Sequence, residues 1–309
     1  MQPSPVRDRT HALLDWFQSL SPVARGCLLM FVQTVMFSGM HTAIRYVTQR
    51  LPGAEVAFFR NLFGLVVIMP LLVRYGPSLF RTEKFGLHVF RALLNVFSMV
   101  AFFIGLSMTP IARATALSFT APLFTALLST LILGEVFRWR RWTAILCGFL
   151  GALLILRPGF DRLDLGSLLV LCSSVFWSMA MVDIKVLGRT ESSLTIAAYV
   201  TVLLIPLTLV PAVFVWQTPD AELWGWLVFI GIIGTLGQLA VTEALKLADV
   251  TVLMPFDFLK LAWTTMLGMV LFAEIPDVFT WIGGAIVFAS SVYIAWREAK
   301  VRREKESET

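Results

Sequence analysis

Residues 26–47 read GCLLMFVQTVMFSGMHTAIRYV, and residues 166–187 read GSLLVLCSSVFWSMAMVDIKVL. When the first glycine of each stretch is aligned, identical residues meet at Gly26, Leu28, Leu29, Val35, Ser38 and Ile44, and Arg45 meets Lys185. At almost the same spacing, Phe119, Thr125, Leu128, Glu135 and Trp142 align with Phe258, Thr264, Leu267, Glu274 and Trp281. The near-constant spacing indicates an internal repeat that fills most of the chain.

The composition is typical of a helical membrane protein. The 309 residues are 58% hydrophobic and 15% charged, with a mean hydropathy of +0.80, whereas a soluble domain carries about 25% charged residues. The three cysteines lie inside apolar runs and lack the spacing of a disulfide framework or a metal site. The net charge of +5 does not indicate nucleic-acid binding, because the basic residues cluster in short connections between apolar segments.

The apolar segments predict the number of membrane crossings. A helix needs about 20 mainly apolar residues to cross the hydrocarbon core of a bilayer. Ten such segments predict an all-α protein with ten transmembrane helices, near residues 26–44, 54–73, 88–108, 111–133, 142–156, 166–184, 195–216, 224–245, 250–272 and 279–296. Very short connections near Thr109, Ala248 and Pro276 predict that the helices they join pack antiparallel.

The basic residues predict the orientation in the membrane. With the N-terminus inside, most of the lysines and arginines outside the spans lie on the cytoplasmic side, and few lie on the opposite side. Membrane proteins concentrate positive residues in their cytoplasmic connections. We therefore expect an integral protein of the bacterial cytoplasmic (inner) membrane, with both termini in the cytoplasm.

The repeat and the span count together predict a carrier. Each half holds five spans, and an odd number forces the second half to enter the membrane from the opposite side. The predicted organisation is a cytoplasmic segment at 1–25, five-helix repeats at 26–157 and 166–297, and a charged cytoplasmic tail at 298–309. Inverted repeats are typical of secondary transporters that work by alternating access, with the binding site between the halves near the midplane.

The ends of the two halves resemble a known family. The run ATALSFTAPLFTALLSTLILGE (114–135), followed by RWRRWTAILCGFLGALLILRPG (138–159), is similar to the end of a repeat in the EamA family of the drug/metabolite transporter superfamily. MPFDFLKLAWTTMLGMVLFAE (254–274), with WIGGAIVFASSVYIAWRE (281–298), resembles the corresponding end of the second repeat. FFRNLFG (58–64) matches that family's second-helix arginine, here Arg60.

The resemblance implies a ten-helix carrier of small organic solutes with a central cavity open to one side at a time. The segment DFLKL (257–261) is similar to the branch that includes proposed S-adenosylmethionine carriers. We therefore expect a small polar substrate, amino-acid-like or otherwise charged or zwitterionic, with S-adenosylmethionine as a candidate. A vitamin or another planar metabolite such as riboflavin is the alternative.

Lys260 and Asp257 are the ionisable residues that lie deepest in a predicted span. Lys260 lies about ten residues from each end, which is about 15 Å from either surface at 1.5 Å per residue, beyond easy snorkelling reach. Asp257 precedes it by one helical turn, so both can share a face. The pair either neutralises itself and is structural only, or lines the cavity, with Lys260 binding a carboxylate or phosphate and Asp257 binding an amine or a proton. Pro255 is expected to free backbone carbonyls here.

Three further ionisable residues are candidates for binding or gating. Arg60, near the outer end of the second span, is expected either to bind substrate or to be a structural residue that Glu55 helps to compensate. Arg91, about one turn into the third span, is expected to act at a gate or as an interface anchor. Glu243 is expected to be solvated at the cytoplasmic end of the eighth span; its functional alternative is a proton site or an inner-gate partner of Arg91.

Two aromatic residues and one serine complete the candidate substrate site. Trp177 lies in the middle of the sixth span and Phe256 adjoins the charged pair, so either ring could stack on a planar or cationic group; packing in the protein core is the alternative for both. Ser38 belongs with Gln33 and Thr34 to a polar stripe on the first span. That stripe suits hydrogen bonding between helices or the lining of a cavity.

Other classes of function are less consistent with the sequence. Paired-histidine metal motifs, nucleophile elbows and phosphate-binding loops are not found, so we expect no enzyme, no cofactor and no metal site. A channel or a non-transporting membrane partner is the remote alternative, since the sequence has no filter loop or charged ring. The expected partners are the lipid bilayer, a small-molecule substrate and, as a candidate coupling ion, protons; the expected assembly is a monomer or a homodimer.

Overall fold

The computed structural model describes residues 17–133, 139–156, 164–188, 190–248 and 250–306, and all secondary structure within them is helical. Eight spans are single helices: helix 1 Pro22–Val47, helix 2 Gly53–Tyr75, helix 3 Phe85–Met108, helix 5 Trp139–Leu156, helix 6 Leu165–Leu187, helix 7 Ser193–Phe214, helix 8 Ala221–Leu247 and helix 10 Val278–Glu306. Helix 4 has two segments, Ile111–Ser118 and Ala121–Leu133; so has helix 9, Val250–Asp257 and Leu259–Phe272. A short 3-10 turn, Gly76–Phe80, follows helix 2.

The helices have the lengths that a bilayer requires. Seven of them are long and apolar enough to cross a membrane, and helices 5, 9 and 10 contribute shorter apolar stretches. The predicted ten-helix, all-α membrane fold is confirmed. Below, the N-face is the face of the bundle at which helix 1 begins, at Pro22, and the far face is the opposite one.

The two halves make matching contacts with each other, as inverted repeats do. Helix 1 packs on helix 8, and helix 6 packs on helix 3. A Cβ atom added to Gly26 would lie 3.3 Å from the carbonyl oxygen of Ala244, and one added to the aligned Gly166 would lie 2.9 Å from that of Gly105. Small residues allow membrane helices to approach this closely, and here they do so at repeat-related positions.

Helices 4 and 9, predicted as continuous spans, are both interrupted, and the interruptions align in the repeat. In helix 4, Pro122 has no N–H to donate to Ser118, so the helix turns at 119–120 and restarts. In helix 9 the turn falls at Phe258, whose carbonyl accepts from the backbone N–H of Leu261 at 2.9 Å. Pro255 lies inside the preceding segment, so the opening comes one turn later than this proline alone predicts.

Candidate functional site

The charged pair lies at the break in helix 9. Asp257 ends one segment, and Lys260 lies in the first turn of the next. Lys260 Nζ is 2.7 Å from Asp257 Oδ1, and the two side chains are only 17% and 19% exposed. The same ammonium group lies 5.9 Å from the ring centre of Phe37 and 5.8 Å from that of Phe119. One carboxylate and two aromatic faces therefore stabilise a lysine removed from bulk water.

Aromatic rings join the two helix breaks. Phe119 and Phe258, the aligned residues at the breaks, have ring centres 6.0 Å apart. Phe288 of helix 10 lies 4.4 Å from Phe258 and 5.8 Å from Phe119. The three rings form a continuous apolar surface beside the charged pair, where the two repeats meet.

Arg60 provides a second positive charge near this centre. Its Nη1 donates to Asn61 Oδ1 at 2.9 Å, and the guanidinium lies against Gly234 of helix 8. Glu55, the compensating residue considered from the sequence, instead accepts from the backbone N–H of Gln217 at 3.0 Å. Within the described ranges no carboxylate pairs with Arg60, so most of its five N–H donors are left for water or an anionic group.

His41 lies near both cations. Its ring lies 5.0 Å from that of Phe102 and 6.3 Å from that of Phe37. Lys260 and Arg60 are both close enough for their charges to act on the ring. With two cations and the one described carboxylate of Asp257, the centre carries a net positive charge that suits a substrate with an anionic group.

Trp177 lies at the mouth of a cavity that described residues of three helices line. The cavity has a volume of about 260 Å³, and the Trp177 side chain is 40% exposed to it and to the bundle surface. The lining residues come from helices 4, 6 and 10: Ala121, Pro122, Thr125, Ala126, Trp177, Met181, Ser291 and Ile294. These lie between the helix 4 break and the N-face ends of the three helices, so the cavity lies in the N-face half of the bundle.

Ser38 and Phe256 occupy different surroundings. Ser38 is fully buried, and its Oγ lies 2.7 Å from the carbonyl oxygen of Thr34 and 3.5 Å from that of Lys260. Phe256 packs in a separate apolar cluster with Met30 and Leu253. The structure therefore brings Ser38 to the backbone of the charged pair and places Phe256 in helix packing.

The candidate gate residues Arg91 and Glu243 do not meet in this structure. Arg91 is buried and donates to the carbonyl oxygen of Ile196 at 3.1 Å. Glu243 is more than half exposed and pairs with Lys246 at 2.9 Å. Arg91 thus joins helix 3 to helix 7, and Glu243 lies at the bundle surface.

The far face is closed by a cluster of charged residues that was not predicted from the sequence. Arg45 Nη2 is 3.0 Å from Glu274 Oε1, and these side chains are 17% and 15% exposed. The other oxygen of Glu274 accepts from the N–H of Ile111, the first residue of helix 4, at 2.8 Å. Arg45 also donates to the carbonyl oxygens of Leu106 and Ser107. One ion pair thus joins helix 1, the helix 3–4 connection and the helix 9–10 connection.

A second ion pair strengthens the same closure. Arg113 Nη2 lies 3.5 Å from Asp277 Oδ2, and a small cavity of about 60 Å³ lies beneath, lined in part by Thr265 and Gly268. The aligned pairs Arg45/Lys185 and Glu135/Glu274 were the signal in the sequence that could have identified the cluster. Lys185 and Glu135 lie outside the side chains that the structure describes.

Comparison with known proteins identifies the family to which this architecture corresponds. The profile of the EamA-like transporter family matches residues 24–157 and again residues 164–296. The crystal structure of another protein is similar, with a TM-score of 0.61 at 20% identity, and the match covers 90% of this chain and 98% of the other. That likeness supports the fold alone.

Relatives of known name are similar over nearly their whole length. The riboflavin transporter of Vibrio cholerae is 33% identical over 287 residues, covering 91% of this chain and 96% of its own. The S-adenosylmethionine uptake transporter of Rickettsia prowazekii is 31% identical over 263 residues, covering 84% and 89%. The pseudopaline exporter of Pseudomonas aeruginosa is 28% identical over 275 residues, covering 87% and 95%.

The first prediction concerns the far-face closure. Thr265 is buried beneath it, so a Thr265→Cys probe in a background with the three native cysteines replaced should react slowly with a membrane-impermeant maleimide. Replacing Arg45 by Ala removes the pair and frees Glu274. We expect the labelling rate to rise about tenfold or more, equivalent to about 1.4 kcal/mol or more of lost closure.

The matched control is the exposed pair on the same face. Arg50 Nη1 lies 2.9 Å from Glu222 Oε2, with 46% and 59% exposure, and the hydrogen bond that Arg50 donates to Glu222 raises the pKa of Arg50 above its ordinary value. An exposed pair contributes little, so Arg50→Ala should leave the labelling rate unchanged. Equal rates for Arg45→Ala and Arg50→Ala would show that the cluster does not hold the far face closed.

Proposed function

The chain belongs to the EamA-like transporter family, and from that premise we propose that it is a secondary carrier of a small polar organic metabolite that works by alternating access in the cytoplasmic membrane. The family is one of transporters, not enzymes. The observation that carries the proposal is the Asp257–Lys260 pair at the break in helix 9, beside the rings at which the two repeats meet. A polar substrate crossing a bilayer needs charged partners at this depth.

A zwitterionic solute of the amino-acid type is the first candidate substrate. Lys260 and Arg60 offer donors for a carboxylate, and Asp257 offers an acceptor for an ammonium group. S-adenosylmethionine carries both groups, and relatives with about 30% identity are named S-adenosylmethionine uptake transporters. The net positive charge of the centre favours substrates whose anionic group enters first.

Riboflavin is the second candidate, and the aromatic surface favours it. The rings of Phe119, Phe258 and Phe288 could stack on a flat tricyclic ring system, while the charged pair hydrogen-bonds its polar chain. Relatives at 33% and 34% identity are named riboflavin transporters. Transport of radiolabelled S-adenosylmethionine and riboflavin into proteoliposomes, each with counterflow, decides between the two candidates and separates a carrier from a channel.

The conformation corresponds to one state of the proposed transport cycle. The far face is closed by the Arg45–Glu274 cluster, and the cavity of about 260 Å³ lies in the N-face half. The basic residues of the connections favour a cytoplasmic N-face with both termini in the cytoplasm, so we assign this structure to an inward-facing state. Both repeats that build the site belong to one chain, so one copy suffices, alone or as half of a homodimer.

The second prediction separates substrate binding from mutual neutralisation. If Asp257 and Lys260 only neutralise each other, the double variant Asp257→Asn/Lys260→Met should fold and transport like the parent, because a buried pair can be replaced together at little cost. If they bind substrate, we expect the folded double variant to lose at least about tenfold in kcat/KM, the equivalent of about 1.4 kcal/mol of binding. Initial rates in proteoliposomes, with thermal unfolding to confirm folding, give the answer.

The control for that variant is again the exposed pair. Arg50→Met/Glu222→Gln removes two opposite charges at 2.9 Å without touching the centre, so its transport rate should equal that of the parent. Parent-like kcat/KM in the Asp257→Asn/Lys260→Met carrier would establish the pair as structural and would overturn its role in binding.

The third prediction concerns protons as the coupling ion. Asp257 is the carboxylate at the centre, and among the described residues Lys260, in the next segment of helix 9, is the cation that pairs with it. Glu243, at the surface and paired with Lys246, is less suited to hold a transported proton. We expect Asp257→Asn to abolish the acceleration of uptake by an imposed pH gradient and Glu243→Gln to keep it. Parent-like pH dependence in both variants would rule out both residues.

A further inference from the structure

The two helix breaks place equivalent backbone positions in matching surroundings. Ser38 Oγ of helix 1 lies 3.5 Å from the carbonyl oxygen of Lys260. Its aligned residue, Ser178 of helix 6, lies 2.7 Å from the carbonyl oxygen of Ala121. Ala121 therefore occupies, in the first half, the place that Lys260 occupies in the second.

The threonine one turn further on repeats this match. Thr264 Oγ1 lies 2.7 Å from the carbonyl oxygen of Lys260. Thr125 Oγ1 lies 2.9 Å from that of Ala121. Ala121 and Lys260 thus accept hydrogen bonds from aligned hydroxyls in the two halves, and their side chains differ.

The side-chain difference leaves a space in the first half. In the second half, the Lys260 ammonium extends toward Phe37, 5.9 Å from its ring centre. In the first half, Ala121 ends at a methyl group, and Trp177, the residue aligned with Phe37, lines the cavity of about 260 Å³ beside it. The cavity is the counterpart of the volume that the lysine fills.

The lining of this cavity is apolar and aromatic. It includes the Trp177 indole and the Met181 thioether, and none of the lining residues that the structure describes is ionisable. The hydroxyls of Thr125 and Ser291 already hydrogen-bond backbone carbonyls, Ser291 at 2.9 Å from that of Phe119. A flat, largely uncharged ring suits such walls, because tryptophan stacks on rings and methionine adapts to their edges.

Phe119 connects the cavity with the charged pair. Its ring lies 5.8 Å from Lys260 Nζ, and its carbonyl oxygen accepts from Ser291, a lining residue of the cavity. The apolar cavity and the Asp257–Lys260 pair therefore lie on two sides of one residue and can contact the two ends of one molecule.

We propose that the cavity beside Ala121 binds a planar ring of the substrate, so that the substrate combines a flat heteroaromatic ring with a charged or polar end held by Asp257 and Lys260. The proposal rests on the proposed carrier function and restricts its substrate class. A solute with only the charged end, such as a free amino acid, leaves the cavity empty and binds weakly.

The experiment fills the cavity with a larger side chain from one of two walls. Ala121→Leu fills it from helix 4, and Met181→Trp fills it from helix 6. The second variant keeps the test possible if the first does not fold. The probes are riboflavin and S-adenosylmethionine, which have both parts, lumichrome and adenine as rings alone, and methionine as a charged end alone. Binding to purified protein is measured by the ligand-induced rise in unfolding temperature over a range of concentrations.

We expect the parent to bind one of the two-part probes, and the matching ring-only probe, more tightly than methionine. In the two filled variants, the affinity for both of these probes should fall by about ten- to hundredfold, the range for an excluded aromatic ring. Ala285→Leu on the exposed face of helix 10 is the matched control and should bind like the parent. Unchanged ring affinity in a folded filled variant, or methionine binding as tightly as the two-part probes, would overturn the proposal.

A fourth variant separates this proposal from the carrier function. Lys260→Met should weaken the two-part probe and leave the ring-only probe bound as in the parent. If Lys260→Met changes nothing while Ala121→Leu removes ring binding, the ring site stands and the role of the charged pair fails. If a tightly held phospholipid, detected by native mass spectrometry, is lost from Ala121→Leu while ring affinity stays the same, the cavity is a lipid site and the ring proposal fails.

Discussion

A break in a membrane-spanning helix leaves backbone carbonyls that the lipid cannot satisfy, and at both breaks a carbonyl of the turn finds a partner inside the protein. The carbonyl of Phe119 accepts from the Ser291 hydroxyl, and that of Phe258 accepts from the N–H of Leu261. Just after the breaks, Ser178 and Ser38 approach the carbonyls of Ala121 and Lys260. The breaks can therefore persist within the bilayer. Because they persist, Phe119 and Phe258 meet at the centre, and the side chains that follow the breaks face the space between the repeats rather than continuing a regular helix.

The symmetric scaffold carries an asymmetric chemistry. In the second half, the position after the break is a lysine held by Asp257; in the first half, it is an alanine beside an apolar cavity. A symmetric pair of lysines would place two cations side by side, and a symmetric pair of alanines would leave nothing to attract a polar solute. The observed combination offers charge on one side of Phe119 and aromatic surface on the other, which suits the two parts of one metabolite.

The sequence predicted the spans and the inverted repeat well, because both follow from local hydropathy and from an alignment of the chain with itself. It identified Lys260 and Asp257 because charge deep in a span is visible without a structure. Both helix breaks were missed when the spans were predicted as continuous: Pro122 accounts for the break in helix 4, whereas Leu261 replaces that proline in the second repeat, and the helix 9 break depends on packing. Contacts between distant spans depend on how the helices assemble and were not predicted: Arg91 donates to the carbonyl of Ile196 instead of meeting Glu243, and Arg45 pairs with Glu274.

Distances across the two faces of the bundle test most directly whether one site is reached from alternate sides. Spin labels at Gln49 and Ile275 span the far-face closure, and labels at Val23 and Leu131 span the N-face; all four positions are exposed. With transported substrate present, double electron–electron resonance should reveal two populations. In one, the labels on the far face are close together and those on the N-face are far apart; in the other, the reverse holds. A population in which both distances are long, or distances that never change with substrate, would contradict alternating access around the Asp257–Lys260 site.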